Sequence, residues 1–548
     1  VMGISMGLRS RLTVPFVVIL IAAAVLCVWW MLTLFMSIPS GPRTITVSKE
    51  TTYVTGPLRP DGSVDFLAAL NEHCREGVTP ENNAAIGFWE AAGPKEIPPE
   101  VRAEFFRLLG IGPLPETGHY FVPFIEYLQA AEKGPPAWDP EYQPWREQME
   151  RKRDRAQAKP WSREVFPAVA RWLDANEKPL AVLVAGLRRP RFYSPLVAKE
   201  NGPLCQVDFP LLIPRDAAQL LVARAMLRVK QGKTDEACQD LLAAHRVARL
   251  AGQGPTLVSW LVASVVEQSA CSGDVALVHD AALTNDQIRK FRGDLRGLPP
   301  LRSMEEAAGF GERLMGLDCI CTLLQEKPRA SNLSDLFGIG AGGDAQSALV
   351  TDRRVDWDQV LRIANERYDQ VGEACRAPTL LEVRDRLTRL ARDLDLSASA
   401  GRGREPTGLA KLFSRRKSAA EVSQQIGDFL AGIFMGAHLA AIRGEIRTRV
   451  ASDMRDVAWA LAEYRNDHGE YPQSLKELLP KYMPEIPKDL FCDGDYHFQR
   501  RGKGYLLYSV GPNGKDDGGR SASDDPKKYE HAADPPDDIA IRTPEEKP

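Results

Sequence analysis

The sequence predicts a mainly α-helical protein, on three observations. A 24-residue uncharged run lies near the start, apolar residues recur at helical spacing between residues 63 and 396, and strand-like runs are confined to the C-terminal part. The chain has 548 residues, 44% hydrophobic and 26% charged, an ordinary globular balance with room for several cores. A formal charge of −3 argues against a nucleic-acid partner, which normally calls for a strongly basic surface.

Taken in order, residues 1–12 read as a short cytoplasmic N-terminus and residues 13–36 as a transmembrane signal anchor. The anchor, "TVPFVVILIAAAVLCVWWMLTLFM", spans roughly 36 Å as a helix, enough for a hydrocarbon core of about 30 Å. Arg9 and Arg11 precede it and no Lys or Arg follows until Arg43. The positive-inside rule therefore places the bulk of the chain outside the cytoplasm, on a single-pass cell (inner) membrane anchor. The run exceeds a signal-peptide apolar region, and "MSIPSGP" is a poor cleavage site. Residues 37–62, with several Pro and Gly, read as a tether.

Residues 63–396 read as an irregular helical domain. Ser63 precedes "VDFLAALNEHC", and "TPENNAAIGFWEAAGP" opens on a Thr and a Pro and stops at Gly93-Pro94. The clearest unit is 215–256. Ala217, Leu220, Leu221, Ala225 and Met226 mark one helix, Gly232 breaks it, and Ala237, Leu241, Ala244 and Ala248 mark the next. This is a tetratricopeptide-like helical hairpin in a single copy, whereas a regular array needs at least three. "PTLVSWLVASVVEQSACSGDVALV" reads as a buried helix. Residues 327–350 read as a flexible insertion and 397–420 as a basic linker.

From residue 421 the pattern changes to a small α+β module, assigned to 421–519 and followed by an acidic tail, 520–548. Val450, Met454, Val457, Leu461 and Tyr464 form an apolar helical stripe, which "DHGEYP" terminates. "DYHFQ" and "GYLLYSV", joined by "RRGKG", predict a β-hairpin.

Recognised catalytic patterns are absent. There is no H-E-x-x-H, G-x-S-x-G or G-x-x-x-x-G-K-[ST]. "GPNGKDDGG" is too compact for a phosphate loop, and "DGDYH" lacks the ligand spacing of an EF-hand. His468 reads as the top of a helix rather than a base. The nine cysteines show no repeated spacing, so buried thiols are expected rather than a disulfide framework.

One resemblance stands out. Tyr464, Asp467, Gly469, Tyr471 and Pro472 end the long helix; Pro487, Asp489 and Phe491 follow; then come Tyr505, Tyr508, Ser509, Gly511, Asn513, Gly514, Gly518 and Gly519. This order resembles the globular part of the type II secretion major pseudopilin, over about 100 of the 548 residues. The whole chain also resembles long membrane-anchored bacterial proteins that carry such a terminal module. The start lacks the family's Phe after the processing-site Gly and its Glu, which argues against assembly into a pseudopilus. The resemblance implies a calcium-binding acidic loop, with Asn513, Asp516, Asp517, Asp537 and Asp538 as the oxygen donors. Asn513 stands where the family has Asp, and residues 520–536 are an insertion.

These readings give a membrane-anchored, extracytoplasmic scaffold or binding protein of the bacterial envelope, with protein partners, no nucleic acid and no cofactor beyond calcium. The alternative is an extracytoplasmic hydrolase-like enzyme whose site lies in the helical domain.

Overall fold

The computed structural model describes residues 45–132, 134–198, 204, 212–325, 355–394, 418–529, 532 and 535–543. The expected cytoplasmic N-terminus, the anchor at 13–36, the insertion 327–350 and nearly all of the linker 397–420 lie outside the described residues.

The described chain is mainly helical, with small antiparallel sheets near its C-terminus. Seven short helices come first: α1 (Phe66–Arg75), α2 (Ala85–Ala92), α3 (Arg102–Leu109), α4 (Phe124–Glu132), α5 (Tyr142–Ala158), α6 (Pro167–Ala175) and α7 (Glu177–Gly186). Asp65, two residues after the Ser63 that precedes this segment, caps α1 by accepting the Ala68 N–H. Helices α2 and α7 cross at two glycines, where a Cβ on Gly87 would come within 2.8 Å of the Gly186 Cα. Only a residue without a side chain allows that approach.

Next come α8 (Leu212–Lys230), α9 (Thr234–Ala251), α10 (Leu257–Asp280) and α11 (Asn285–Arg296). The α8–α9 pair is the expected hairpin, turned by Gly232 at φ 74°. A short α12 (Met304–Ala307), a π-helical turn (Ala308–Glu312) and α13 (Arg313–Gln325) follow, then α14 (Trp357–Cys375) and α15 (Leu380–Asp393).

The central element is α16, 50 residues from Ala419 to His468. A Ser418–Glu421 capping box starts it, and Gly469 at φ 79° ends it in the left-handed conformation. Helix α16 joins two cores. Val422, Ile426 and Leu430 pack with residues of α13 and α14, and Met435 through Leu461 contribute to the larger cluster formed with α8, α9 and α10. Helices α10 and α16 are both long and apolar enough to cross a membrane, but each is mostly buried and serves as a core helix.

After α16, β1 (Lys488–Asp489) pairs with β2 (Gly494–Asp495), and β3 (His497–Arg501) forms the expected hairpin with β4 (Gly504–Ser509). A third strand, β5 (Ile539–Thr543), pairs antiparallel with β4, placing Ile541 opposite Leu507. This strand falls in the segment expected to be an acidic tail. It buries Ile539, Ala540 and Ile541, and that apolar alternative to solvent is why the end of the chain folds back. A single-turn helix, α17 (Pro526–Tyr529), lies between β4 and β5.

Candidate functional site

Three places in the fold concentrate polar groups or space. The first is the acidic turn after β4. The structure brings all five predicted oxygen donors into one region, and hydrogen bonds link Asn513, Asp517, Asp537 and Asp538. Both Asp537 carboxylate oxygens accept from the Asn513 N–H, at 3.3 and 3.1 Å. Asp517 Oδ2 accepts from Asn513 Nδ2 at 3.1 Å and from the Asp537 N–H at 3.2 Å. Asp538 is fully buried, and its Oδ2 accepts the Asp517 and Gly519 N–H groups at 3.0 and 2.7 Å. Asp516 Oδ1 accepts from the Tyr508 hydroxyl and the Gly518 N–H, both at 2.9 Å. Burial, together with the neighbouring Asp517 and Asp516, pushes the Asp538 carboxyl up to about 6.

Most of these oxygens are turned toward N–H and O–H donors of the loop and of β4, whereas Asp538 Oδ1 is buried without a hydrogen bond. Among the described residues, no group of three or more His, Cys, Asp or Glu converges to hold a metal ion. Calcium needs six to eight oxygens directed at one point, and this donor set does not fit that requirement. The turn's visible role is to fasten β5 beside β4.

The second place is a buried ionic cluster between α9, α10 and α16. In α10, Glu267, Cys271 and Asp274 stand at i, i+4 and i+7, so one otherwise apolar helix directs two carboxylates and a thiol to one side. His245 of α9 lies between the carboxylates. Its Nδ1 is 2.9 Å from Glu267 Oε2 and its Nε2 is 2.9 Å from Asp274 Oδ2. Arg249, one turn further along α9, also bonds Glu267. Arg455, set in the apolar stripe of α16, donates to Cys271 Sγ at 3.3 Å and lies 3.7 Å from Glu267 and 3.9 Å from Asp274. Asp456 meets the same guanidinium at 3.0 Å from the rim.

Burial opposes a charge on His245, but the two facing carboxylates outweigh it and raise its pKa. Burial likewise opposes ionised Glu267, and His245, Arg249 and Arg455 outweigh it in holding that carboxyl below its ordinary range. With His245 protonated, three cations face three anions. The cluster is enclosed, since the His245, Glu267 and Asp274 side chains are at most 2% exposed. Burial pushes the Cys271 thiol up to about 12, which removes it as a nucleophile at neutral pH. The arrangement is a strut that ties α16 to the helical hairpin.

The same tie continues toward the sheet. Arg292 of α11 donates to Glu463 Oε1 at 2.6 Å and to the Tyr482 carbonyl at 3.1 Å, and Arg289 donates to Glu463 Oε2 at 3.0 Å. At the end of α10, His279 Nε2 bonds the buried Tyr505 hydroxyl of β4 at 2.7 Å. Burial, with the Arg465 charge beside it, lowers His279 to about 4 and keeps it neutral.

The third place is a cavity of about 70 Å³ whose walls include Cys74, Phe88, Trp89, Phe192, Pro255 and Ser259. Most of its lining is apolar, and nearby polar groups are committed. Ser194 accepts from Trp89 Nε1 at 3.0 Å, and Gln253 bonds the Phe192 N–H at 2.9 Å. Beside this wall lies Glu312, at the end of the π-helical turn. Its Oε1 accepts the Leu257 N–H at 2.8 Å, the start of α10. Burial pushes Glu312 up to about 7, and that one N–H only partly offsets the effect.

Sequence reasoning singled out the acidic turn but missed the ionic cluster and Glu312. The cluster did leave a signal: Glu267 and Asp274 interrupt an apolar helix on one face. Comparison of the chain with protein-family models, with curated proteins and with solved structures finds no match.

Proposed function

We propose that this chain is a membrane-anchored, extracytoplasmic scaffold or binding protein of the bacterial envelope. It pairs a tetratricopeptide-like helical hairpin with a C-terminal type II secretion pseudopilin-like module. The single observation that carries the proposal is the use of its charged side chains. His245, Glu267, Asp274, Arg249 and Arg455 pair with one another in a closed core, with Asp274 Oδ1 left without a hydrogen bond, and this pairing favours rigidity over exchange with a substrate. The uncharged run at 13–36 supports the anchor, and the flanking arginines support the orientation. Affinity capture of the full chain from detergent-solubilised envelope tests this function. Recovery of a specific envelope partner is expected; recovery of none contradicts a scaffold.

One observation favours the enzymatic alternative. Burial pushes the Glu312 carboxyl up to about 7, within the range suited to a general acid or base, and Glu312 ends a π-helical turn, a feature frequent at functional sites. Hydrolysis of an ester or glycoside panel by the parent chain, abolished in Glu312→Gln, would establish that alternative.

A further inference from the structure

We propose that the molecule stands on the lipid surface as a mast, with the Ser418 end of α16 near the bilayer and the β3–β4–β5 sheet held away from it. The proposal rests on the membrane-anchored reading above. Its structural basis is the first described segment, which is fastened to the body from its start. Ile45, Val47 and Val54 pack against the core that contains Trp357, Val360, Val422 and Ile426. The Thr46 N–H donates to Asp358 Oδ1 at 3.0 Å, and Asn365 Nδ2 donates to the Glu50 and Thr51 carbonyls at 3.0 and 2.9 Å.

That attachment point lies at one end of the long helix. The Asp356 N–H, just before α14, donates to Ser423 Oγ in the first turns of α16 at 2.9 Å. Ile45, the start of α14 and the start of α16 are therefore neighbours. The sheet packs against the opposite half of α16, where Tyr505 and Leu507 share a core with Val457 and Leu461.

Lengths and charge then set the posture. Residues 37–44 separate the apolar run from Ile45, and eight residues reach at most about 28 Å when fully extended. Helix α16, at 1.5 Å per residue, is about 75 Å long. The attachment is thus shorter than the helix, and the sheet can meet lipid only if the whole body lies flat. Residues 513–548 hold ten Asp or Glu against six Lys or Arg, so an anionic bilayer repels the sheet end and disfavours that posture.

The test uses the full chain in vesicles containing anionic lipid and a headgroup-linked energy acceptor. A donor is placed through a non-natural amino acid at Ala420 or at Lys503, both exposed, with circular dichroism confirming the fold of each variant. The expected result is flotation of both variants and severalfold stronger energy transfer from position 420 than from 503. Flotation with equal or reversed transfer overturns the mast and leaves the anchored reading intact. Failure to float overturns the anchored reading, and the mast with it.

Discussion

Replacing Glu267 with Gln removes one charge from the α9–α10–α16 cluster while keeping the side-chain shape. In the parent, Glu267 faces His245, Arg249 and Arg455 at once, so its loss leaves three cations opposed by Asp274 and the rim residue Asp456. Breaking a buried pair by removing one partner costs about 3–5 kcal/mol. With an unfolding entropy of about 2.1 cal/mol/K per residue, that cost lowers the melting temperature of a 548-residue chain by about 3–4 °C. Calorimetry at pH 6 measures it. The sign of the pH dependence follows from the two shifts. Glu267 is lowered from its ordinary 4.5, so its contribution is present above that value and is lost as the pH falls through the folded pKa. His245 is raised from 6.5, so its contribution is full below 6.5 and is lost as the pH climbs through the raised value. A Glu267→Gln variant that melts with the parent at pH 6 would refute the strut.

Three other outcomes are expected. Glu312→Gln stabilises the protein above pH 7 and leaves it unchanged below pH 4, because the parent's raised carboxyl stabilises only while protonated. The gap between 4.5 and about 7 corresponds to about 3 kcal/mol, read as the difference between denaturation midpoints across pH. Gly87→Ala forces α2 and α7 apart at their 2.8 Å approach and costs about 1–3 kcal/mol in chemical denaturation. Calcium and chelator leave the melting curve unchanged, since among the described residues no group of three or more carboxylates converges in the 513–538 turn and most of its oxygens are bonded to N–H and O–H donors; a calcium-induced rise would show that the ion displaces those bonds.

Much of this fold was legible where the physics is local. The stripe Val450, Met454, Val457 and Leu461 is buried as its spacing required, Gly232 and Gly469 take the left-handed turns their positions suggested, and the β3–β4 hairpin forms where alternation resumes. Contacts between distant segments were not legible. Pairing of β5 with β4 joins residues some 35 positions apart across a polar stretch, so no periodicity announces it. The module boundary read at 421 falls within two residues of the start of α16 at Ala419, but the partner of Asp428 was not legible; in the fold Arg367 of α14 meets that carboxylate at 2.7 Å. The ionic cluster draws on α9, α10 and α16, and His245 and Arg455 lie 210 residues apart. Local sequence showed polar interruptions of apolar faces, and only the folded chain shows that they meet.

Beneath these predictions lies one claim: α16 binds the helical hairpin and the C-terminal sheet into a single cooperative body. Native-state hydrogen exchange of the full chain tests it most directly, by following the amides of α10 and of β4 through increasing denaturant. Because His279–Tyr505 and the Arg292–Glu463–Arg289 bonds join the two regions, both sets of amides should open together with the same denaturant dependence. Opening of β4 at low denaturant while α10 stays protected would contradict the claim, and would make the sheet a separate unit resting on the helices.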